Sequence, residues 1–432
     1  MKPKAFMDIV DTIALYRPGP MENIPLYLEN RSKPDKVAYL HHDLKAITQS
    51  TYGVLIYQEQ IMLVAQTMAG FSLARADILR KAMSKKDSQE LAALKDEFIK
   101  GAIAKGYSED MATRLFILVE KFASYGFNKS HSVAYGLISY QMAFLKANYP
   151  ELFYNYLLTS VIGSDSKTRL YIESCRRNKV GLLPVSIQSS NASYSIEDGN
   201  IRLPFTIIKG ISVKIALEIM EERGRNGLYQ SYYDAVSRLT LIGLGQSSIE
   251  TLIDAGGFDD FHHNRYALLD SLQDALRYTN IIKIERDGQM TLDHSLVSQP
   301  KLSHVKEDAS VRLSREYDAL GFYYSDHPAL ALRQHYKTQA LIDTHVSQSS
   351  FRVIAMVDRI KTHRTKNNEM MAFVEVSDGS HALSLVIFPN VYKTVADTLN
   401  VGDMLLIMGT MKEKDSLIVN KLHIIQLENE VL

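Results

Sequence analysis

Cysteine and tryptophan are almost missing from this sequence of 432 residues, which has no tryptophan and a single cysteine, Cys175. One thiol cannot form an internal disulfide, and it offers no cysteine-rich zinc site. We therefore expect the chain to work in a reducing compartment.

An excess of charge of either sign is also missing. Lysine plus arginine number 49, as do aspartate plus glutamate, so the formal net charge is zero. A uniformly basic surface for nucleic acid is excluded, and any site for a polyanion must be a local patch. With 46% hydrophobic and 23% charged residues the composition is that of a globular protein. The length indicates about three domains.

Long hydrophobic runs are missing too. The sequence has no stretch of about 18 or more apolar residues, the minimum for a membrane-spanning helix. Its first residues, MKPKAFMDIVDTIALYRPGP, lack the apolar segment of a signal peptide. We therefore expect a cytoplasmic protein with no membrane partner.

The spacing of apolar residues predicts a multidomain α+β fold that begins with a helical domain. Residues 1–160 carry apolar side chains at three- and four-residue spacing, with Ser72 and Ser108 as expected N-caps. The three prolines of YRPGPMENIPLYL predict an ordered turn before these helices.

The remaining residues predict three further regions. Residues 161–290 contain short helices and a hairpin turn at Asp198 and Gly199. Residues 291–345 are expected to form a linker with connecting helices. Residues 346–432 contain five runs with strand character and one helical piece between the third and the fourth. This order predicts a five-stranded oligonucleotide/oligosaccharide-binding (OB) barrel.

Two glycine turns in residues 161–290 predict a tandem helix-hairpin-helix module. Each turn precedes a helix, and backbone N–H groups at a helix N-terminus can bind phosphates without reading base sequence. The candidate DNA contacts are Lys209, Gly210, Ser212, Lys214, Gly243 and Gly245. The alternative is a plain pair of helices joined by a glycine turn.

The predicted barrel has a basic loop after its first strand, where OB barrels bind single strands. Its candidate DNA contacts are Arg359, Lys361, Arg364 and Lys366, against the single acid Glu369. A solvated surface loop is the alternative. Phe373 and Phe388 lie within predicted strands, so we expect them in the core and find no obvious pair of stacking aromatics.

The densest basic cluster lies in residues 72–86, a segment suited to a triphosphate. Its cations are Arg75, Arg80, Lys81, Lys85 and Lys86, against the single acid Asp77. On a helix, Arg80 and Lys81 share a face with Asp77, whereas Arg75 points elsewhere. The alternative is a solvated helix face.

A second candidate anion site lies in SYGFNKSHSVAYG. This segment places Lys129 and His131 at a predicted helix N-terminus beside Phe127. A lysine, a histidine and free backbone amides there could hold an anion. A surface histidine with no role is the alternative reading of His131.

Motifs of catalysis and metal binding are not found. The sequence has no Asp-x-Asp pair on adjacent predicted strands, no GxxxxGK[ST], no HExxH and no Gly-x-Ser-x-Gly. We therefore assign no catalytic and no metal-binding residue to this chain.

Five ordered segments resemble a known family along nearly the whole chain. They are ALYRPGPM (14–21), YGVLIYQEQIM (52–62), ADILRKAMSKK (76–86), KFASYGFNKSHSVAYGLISYQMAFLKANYP (121–150) and EYDALGFYYSDHP (316–328). Together they resemble the alpha subunit of bacterial DNA polymerase III, of the DnaE type. The resemblance implies a fingers domain, a helix-hairpin-helix module with a clamp-binding site, and an OB domain.

The resemblance implies a part of a replicative DNA-directed DNA polymerase, a nucleotidyltransferase. The family's palm, with its metal-binding aspartates, precedes the YRPGP motif, so the chain resembles the C-terminal portion and is expected to be inactive alone. Mg²⁺ would be bound by residues outside this chain. The implied partners are primer–template DNA, deoxynucleoside triphosphates, a sliding clamp and other replisome subunits.

The family resemblance also implies residue roles. The fingers close on the incoming nucleotide, so the implied nucleotide contacts are Arg75, Arg80, Lys81, Lys129 and His131, with Arg17 as a further candidate. A Gln-x-x-Leu-Phe-like peptide is expected to bind the clamp, and the best match supplies Gln289, Met290 and Leu292. Asp293 replaces the expected aromatic residue, whose ring normally fills an apolar pocket. A solvated linker is the alternative.

Two other functions remain open. A freestanding nucleic-acid-binding module would need only the hairpins and the barrel, and would bind DNA without any dependence on nucleotide. A helical scaffold for partner proteins fits the low net charge of the first region but leaves its clustered cations unexplained.

Overall fold

The computed structural model describes residues 1–85, 88–123, 126–346, 350–413 and 415–425. Lys86 and the side chain of Lys85, both part of the predicted basic cluster, lie outside this description. The chain forms two compact units, Met1–Asn148 and Tyr149–Leu432. None of the helices among the described residues has the length and hydropathy required to cross a bilayer.

The first unit is helical, as its periodicity predicts. Its helices are α1 (Phe6–Leu15), α2 (Ile24–Ser32), α3 (Asp43–Thr48), α4 (Gln58–Ala69), α5 (Leu73–Lys85), α6 (Ser88–Ala104), α7 (Glu109–Ala123) and α8 (Lys129–Asn148). The prolines of the YRPGP segment stand at a short 3-10 helix, Pro20–Asn23, and at the start of α2. Two apolar clusters form the core, one among α3 to α7 and one that joins α1 and α2 to the segment before α4.

Local signals set the helix ends of this unit. The hydroxyl of Ser72 accepts the Arg75 N–H at 3.2 Å, and that of Ser108 accepts the Met111 N–H at 3.2 Å, which confirms both predicted N-caps. Gly101 lets α6 pass the end of α4, because a Cβ there would lie 2.1 Å from the Ala69 carbonyl oxygen.

The second unit begins with helices around a small sheet. Its elements before the barrel are α9 (Pro150–Thr159), α10 (Asp165–Arg177), β1 (Leu182–Leu183), β2 (Ser195–Glu197), β3 (Asn200–Arg202), α11 (Val213–Asn226), α12 (Tyr232–Leu241), α13 (Gln246–Asp254), α14 (Arg265–Asp270), α15 (Leu272–Ile282), β4 (Lys283–Arg286), β5 (Gln289–Leu292), α16 (Ala309–Leu320) and α17 (Pro328–Tyr336). The predicted turn joins β2 to β3, with Asp198 and Gly199 both at positive φ.

The core of this unit extends beyond the predicted domain borders. Tyr154 and Leu158 of α9 are buried in it, so this helix belongs to the second unit although we expected residues up to 160 in the first domain. Leu320 and Phe322 from the region predicted as a linker with helices are buried in the same core.

The chain ends in a closed barrel of five strands. They are β6 (Phe351–Arg364), β7 (Met370–Ser377), β8 (Ala382–Ile387), β9 (Met404–Glu413) and β10 (Ser416–Ile425), with α18 (Pro389–Tyr392) between the third and fourth. The strand order is β10-β8-β7-β6-β9, and a parallel pairing of β10 with β8 closes the ring. The five strands and the helix position confirm the prediction of an OB barrel.

Candidate functional site

Phe127 is the centre of a cationic cluster in the first unit. Its N–H donates to the Ile56 carbonyl at 3.0 Å, and its carbonyl accepts the Gln58 N–H at 2.9 Å, so two strand-like hydrogen bonds fix its backbone before α4. The Arg17 guanidinium lies 4.4 Å from the centre of the Phe127 ring, and the His131 ring lies 5.4 Å from it. We call Arg17, Tyr57, Phe127, Lys129 and His131 the Phe127 cluster.

Lys129 joins this cluster through a second aromatic ring. Its ammonium nitrogen lies 5.4 Å from the centre of the Tyr57 ring. Its backbone N–H donates to the Glu59 carboxylate at 3.0 Å. The Tyr57 hydroxyl donates to the buried Asp11, which also accepts from the Tyr27 hydroxyl at 2.6 Å. Burial raises the pKa of Asp11. The Lys129 ammonium group therefore lies over the Tyr57 ring, and a hydrogen bond to the buried Asp11 carboxylate fixes that ring.

Arg80 approaches the cluster through Gln58. Its guanidinium donates to Gln58 Oε1 at 3.3 Å and pairs with Asp77 at 2.8 Å, and Lys81 pairs with the same carboxylate at 2.7 Å. The structure confirms that Arg80, Lys81 and Asp77 share one face. Arg75 is elsewhere, as the helical spacing predicts, because its guanidinium binds Glu97 on α6.

The backbone at the start of α8 differs from the expected anion cradle. The Lys129 N–H donates to Glu59, and the His131 N–H donates to the side chain of Asn128 at 2.8 Å. The predicted free amides at these two residues are therefore occupied. The cationic groups at this place are the side chains of Arg17 and Lys129 instead.

The two glycine turns of the second unit are not equivalent. Gly243, at φ +96°, and Gly245 join two α-helices, α12 and α13, and Gly245 has no side chain to cap the first amides of α13. Gly210, at φ +83°, follows only a short 3-10 helix, Phe205–Ile207. The expectation of two matched pairs of α-helices is thus met at the second turn only. A Cβ would meet nothing within 4 Å at any of these three glycines, so both turns are open to a ligand.

The cations near the first turn are exposed. Lys209 lies on the surface, and the Lys214 ammonium lies 3.8 Å from Glu218, a loose contact. Ser212 caps α11, since its hydroxyl accepts the Ile215 N–H at 3.2 Å. These side chains leave the start of α11 accessible and positively charged.

The candidate clamp-binding residues lie on a hairpin instead of an unstructured linker. β4 pairs with β5 in antiparallel register, and Gln289 and Met290 are exposed on β5. Leu292 is half-buried against the core of the second unit. Asp293 ends the strand, since its N–H donates to the Ile282 carbonyl at 2.8 Å and its carboxylate pairs with Arg286.

A cleft of about 800 Å³ lies beside this hairpin, within the second unit. Gln289, Met290 and Leu292 line one side of the cleft, and Glu222 and Arg238 line the other. Arg238 and Glu222 form a buried ion pair at 2.6 Å. The hairpin therefore presents its two exposed residues at the rim of a polar groove.

The barrel presents a cation and an aromatic ring side by side on neighbouring strands. Lys361 on β6 is paired in register with Phe373 on β7, and His363 lies near the same ring with centroids 6.5 Å apart. Phe373 is 38% exposed and Phe388 is 42% exposed. The expectation that both rings pack in the core is wrong, because each lies on the outward side of its strand or just beyond it.

The predicted basic loop is largely strand, because Arg359, Lys361 and Arg364 lie on β6 and Lys366 alone of the four lies in the turn that follows it. Arg359, Lys361, Arg364 and Lys366 are all on the surface. Arg364 donates to Asn368 at 2.8 Å within the loop, and Arg359 lies 3.9 Å from Glu375. These contacts are weak enough to be exchanged for phosphates.

Sequence reasoning assigned no role to Tyr57, Gln58, Glu59 or the two exposed phenylalanines. The first three belong to the YQEQ segment, in which one aromatic residue directly precedes three polar residues at the start of α4. The exposure of Phe373 and Phe388 follows from strand register, which the sequence alone does not give.

Comparison with known proteins identifies the regions that carry these features. Residues 1–106 match the bacterial DNA polymerase III alpha subunit finger domain, residues 179–268 a helix-hairpin-helix motif, and residues 351–425 an OB-fold nucleic acid binding domain. The chain is 38% identical over 98% of its length to DNA polymerase III subunit alpha of Staphylococcus aureus strain MSSA476 and 39% identical over 98% to that of Staphylococcus epidermidis. It spans about 40% of the length of these relatives.

Proposed function

Because the chain is a relative of the bacterial DNA polymerase III alpha subunit over 98% of its length, we propose that it is the part of a replicative DNA polymerase that contacts the incoming nucleotide, DNA and a sliding clamp. The observation that carries this proposal is the convergence of Arg17, Lys129 and His131 around Phe127, with Arg80 linked through Gln58. Three separate segments of the sequence contribute these four cationic or ionisable groups.

The Phe127 cluster suits a triphosphate. Phosphoryl transfer depends largely on positioning and on neutralising the charge of the phosphates. The rings of Tyr57 and Phe127 hold Lys129 and Arg17 in place, so that both cations lie close to the position of an anion bound at this cluster. Arg80 and Lys81 would exchange Asp77 for phosphate oxygens. Arg75, bound to Glu97, has no part in this proposal as a direct contact.

Two surfaces of the second unit suit DNA. The open turns at Gly210 and Gly243 offer helix N-termini to the duplex backbone. On the barrel, Phe373 and Phe388 can stack on bases while Lys361 and Arg364 bind phosphates of a single strand. The matches to a helix-hairpin-helix motif and to an OB-fold nucleic acid binding domain support both assignments.

The hairpin β4–β5 is our candidate for the clamp contact. Gln289 and Met290 are exposed, but Leu292 would have to leave the core to enter a partner's pocket. Asp293 is fixed by Arg286 and Ser295, and offers a charge where an apolar ring is expected. Clamp binding through Gln289 and Met290 is therefore expected to be weak.

Catalysis would belong to other residues of the parent enzyme. We expect Mg²⁺ to be bound outside this chain and this chain alone to be inactive. Replisome subunits are the expected partners, in the cytoplasm.

Nucleotide binding tests the proposal. A labelled deoxynucleoside triphosphate would be titrated with Mg²⁺ into the chain and a primer–template, and primer extension would be followed in parallel. We expect Lys129→Ala and Arg80→Ala each to weaken nucleotide binding about tenfold, the effect of one charged hydrogen bond. Arg75→Ala is the matched control on α5 and should bind as the wild type does.

Three outcomes would count against the proposal. Equal losses in all three variants, or none in any, would remove the Phe127 cluster as the nucleotide site. DNA binding with no nucleotide binding would favour a freestanding nucleic-acid-binding module. Primer extension by the chain alone would show a catalytic site that we have not assigned.

A further inference from the structure

Three consecutive residues of the first unit bring metal-binding atoms together. Among the described residues, His41, His42 and Asp43 form the group whose imidazole and carboxylate donor atoms all lie within 4.8 Å of one another. His41 Nδ1 lies 3.2 Å from one carboxylate oxygen of Asp43, and His42 Nε2 lies 2.9 Å from the other. The three residues lie at the start of α3, where the chain turns into the helix.

These distances are compatible with ligands that share one ion. Zinc is bound by histidine nitrogen at about 2.0–2.1 Å and by carboxylate oxygen at about 2.0–2.2 Å in tetrahedral sites, which places neighbouring ligand atoms about 3.3 Å apart. Both histidine–aspartate distances are near this value. Two imidazoles and one carboxylate favour a borderline cation such as Zn²⁺ over Mg²⁺ or Ca²⁺, which prefer oxygen ligands.

A residue from another part of the unit orients the carboxylate. The Tyr107 hydroxyl donates to Asp43 Oδ2, and the Tyr107 ring packs edge-on against His41 with centroids 5.0 Å apart. Tyr107 itself packs on the core formed by α3 to α7. A hydrogen bond from outside the ligand set is the usual support of a metal-bound carboxylate.

The ligand atoms are also accessible. The His42 side chain is 83% exposed and can turn toward an ion with little cost in packing. His41 Nδ1 accepts the Asp43 N–H only at 3.3 Å, a long contact that a metal bond would replace. The side chains of His41 and Asp43 are partly shielded, so the ion would lie between a fixed pair of ligands and a mobile third.

We propose that His41, His42 and Asp43 bind a zinc-class divalent cation, with water completing the coordination. The bound ion ties the entry of α3, through Asp43 and Tyr107, to the turn between α6 and α7. The proposal does not depend on the polymerase function proposed above, because it rests on this ligand set alone.

Zinc binding to the whole chain tests the proposal. Zn²⁺ would be titrated in competition with a chromophoric chelator, and thermal unfolding would be followed with and without Zn²⁺. The variants are His41→Gln with His42→Gln, and Asp43→Asn, which keeps the side-chain shape beside Tyr107. The control is His262→Gln with His263→Gln, which removes another exposed pair of adjacent histidines.

We expect one zinc equivalent in the wild type and in the control. Its affinity should fall at least tenfold in Asp43→Asn and further in the double histidine variant. Zn²⁺ should raise the unfolding temperature of the wild type and of the control, and should not raise that of the double variant. Circular dichroism would verify that each variant is folded.

Two results would overturn the proposal. One is zinc binding of unchanged affinity and stoichiometry in both site variants. The other is the absence of binding to the folded wild type at micromolar Zn²⁺. Loss of binding in the His262 and His263 control alone would place the ion elsewhere and would also overturn it.

Discussion

The Lys129 ammonium nitrogen lies over the Tyr57 ring, 5.4 Å from its centre, while the hydroxyl of that ring donates to a buried carboxylate. The position of a half-buried cation thus depends on an interaction inside the core of the first unit. Tyr57 joins the two, because its ring faces Lys129 and its oxygen faces Asp11.

The first prediction separates the two roles of Tyr57. Tyr57→Phe keeps the ring and removes one hydroxyl donor from buried Asp11, so we expect a loss of about 1–3 kcal/mol in the free energy of unfolding. Nucleotide affinity should be largely kept. Tyr57→Leu should lose nucleotide affinity as well, because the surface under Lys129 is gone. Urea denaturation and nucleotide titration measure the two effects.

Tyr27→Phe is the matched control for this prediction. It removes the other hydroxyl bound to Asp11, 2.6 Å away, without touching the ring under Lys129. It should be destabilised to a similar extent and bind nucleotide normally. A Tyr57→Phe protein as stable as the wild type would contradict the role given to Asp11.

The second prediction concerns two titratable groups that line one small cavity of the second unit. Burial raises the pKa of Glu173 to about 7 and lowers the pKa of His327 to about 4. A raised carboxyl pKa stabilises the folded state at low pH, and this contribution is lost as pH rises from the ordinary value of 4.5 to about 7. The lowered histidine pKa acts oppositely, since its contribution is present above 6.5 and is lost as pH falls toward 4.

The contributions of Glu173 and His327 to the pH dependence of stability nearly cancel in the wild type between about pH 4.5 and 6.5. Variants that remove one of the two groups should reveal the contribution of the other. Glu173→Gln should gain stability with rising pH over this range, and His327→Asn should lose it. Each change should be on the order of 3 kcal/mol, at 1.4 kcal/mol per pKa unit. His327 caps α17 by accepting the Ala329 N–H. Asparagine is chosen as the replacement because its side-chain oxygen can also cap a helix. Urea denaturation at several pH values measures how the free energy of unfolding changes with pH. A free energy of unfolding that is independent of pH in both variants would refute the opposite effects assigned to Glu173 and His327.

The third prediction concerns the buried pair of Arg265 and Glu316. Their charged groups lie 2.9 Å apart, and Glu316 also accepts the N–H groups of Tyr324 and Ser325. Glu316→Gln should reduce the free energy of unfolding by about 1.5–3 kcal/mol, because it removes one of the two carboxylates that pair with the buried guanidinium, while Asp259 stays 2.7 Å from it.

An exposed pair provides the control for this loss. Arg277 and Asp274 lie on the surface of the same unit, and Arg277→Ala should leave stability almost unchanged. Equal effects of the buried and exposed single variants would contradict this reasoning.

The fourth prediction concerns single-stranded DNA on the barrel. Phe373→Ala and Phe388→Ala should each weaken binding by about 1–3 kcal/mol, the contribution of one stacked base. Lys361→Ala should lower the slope of log affinity against log salt by about 0.7, one phosphate contact of a single strand. Lys421→Ala, at an exposed cation on β10, is the control. Unchanged affinity in both phenylalanine variants would remove this face as the binding surface.

The features that the sequence predicted correctly are those that depend on neighbouring residues. The caps at Ser72 and Ser108, the turn at Asp198 and Gly199, and the strand and helix order of the barrel each depend on residues close in sequence. Helical spacing also separated Arg75 from Arg80, because an angle along one helix needs no knowledge of the fold.

What depends on long-range pairing was not predicted. The outward direction of Phe373 follows from its register opposite Lys361 on another strand. The amide of Lys129 is occupied because Glu59, 70 residues away, accepts its N–H.

The closure of the barrel has a consequence for self-association. An open sheet leaves unpaired N–H and C=O groups on its edge strands, where strands of other molecules can add. Each of the five described barrel strands has a neighbour on both sides, because β10 pairs with β8 as well as β9. Copies of this domain at high concentration would therefore meet through their side chains, and strand addition at the barrel would not nucleate a fibril.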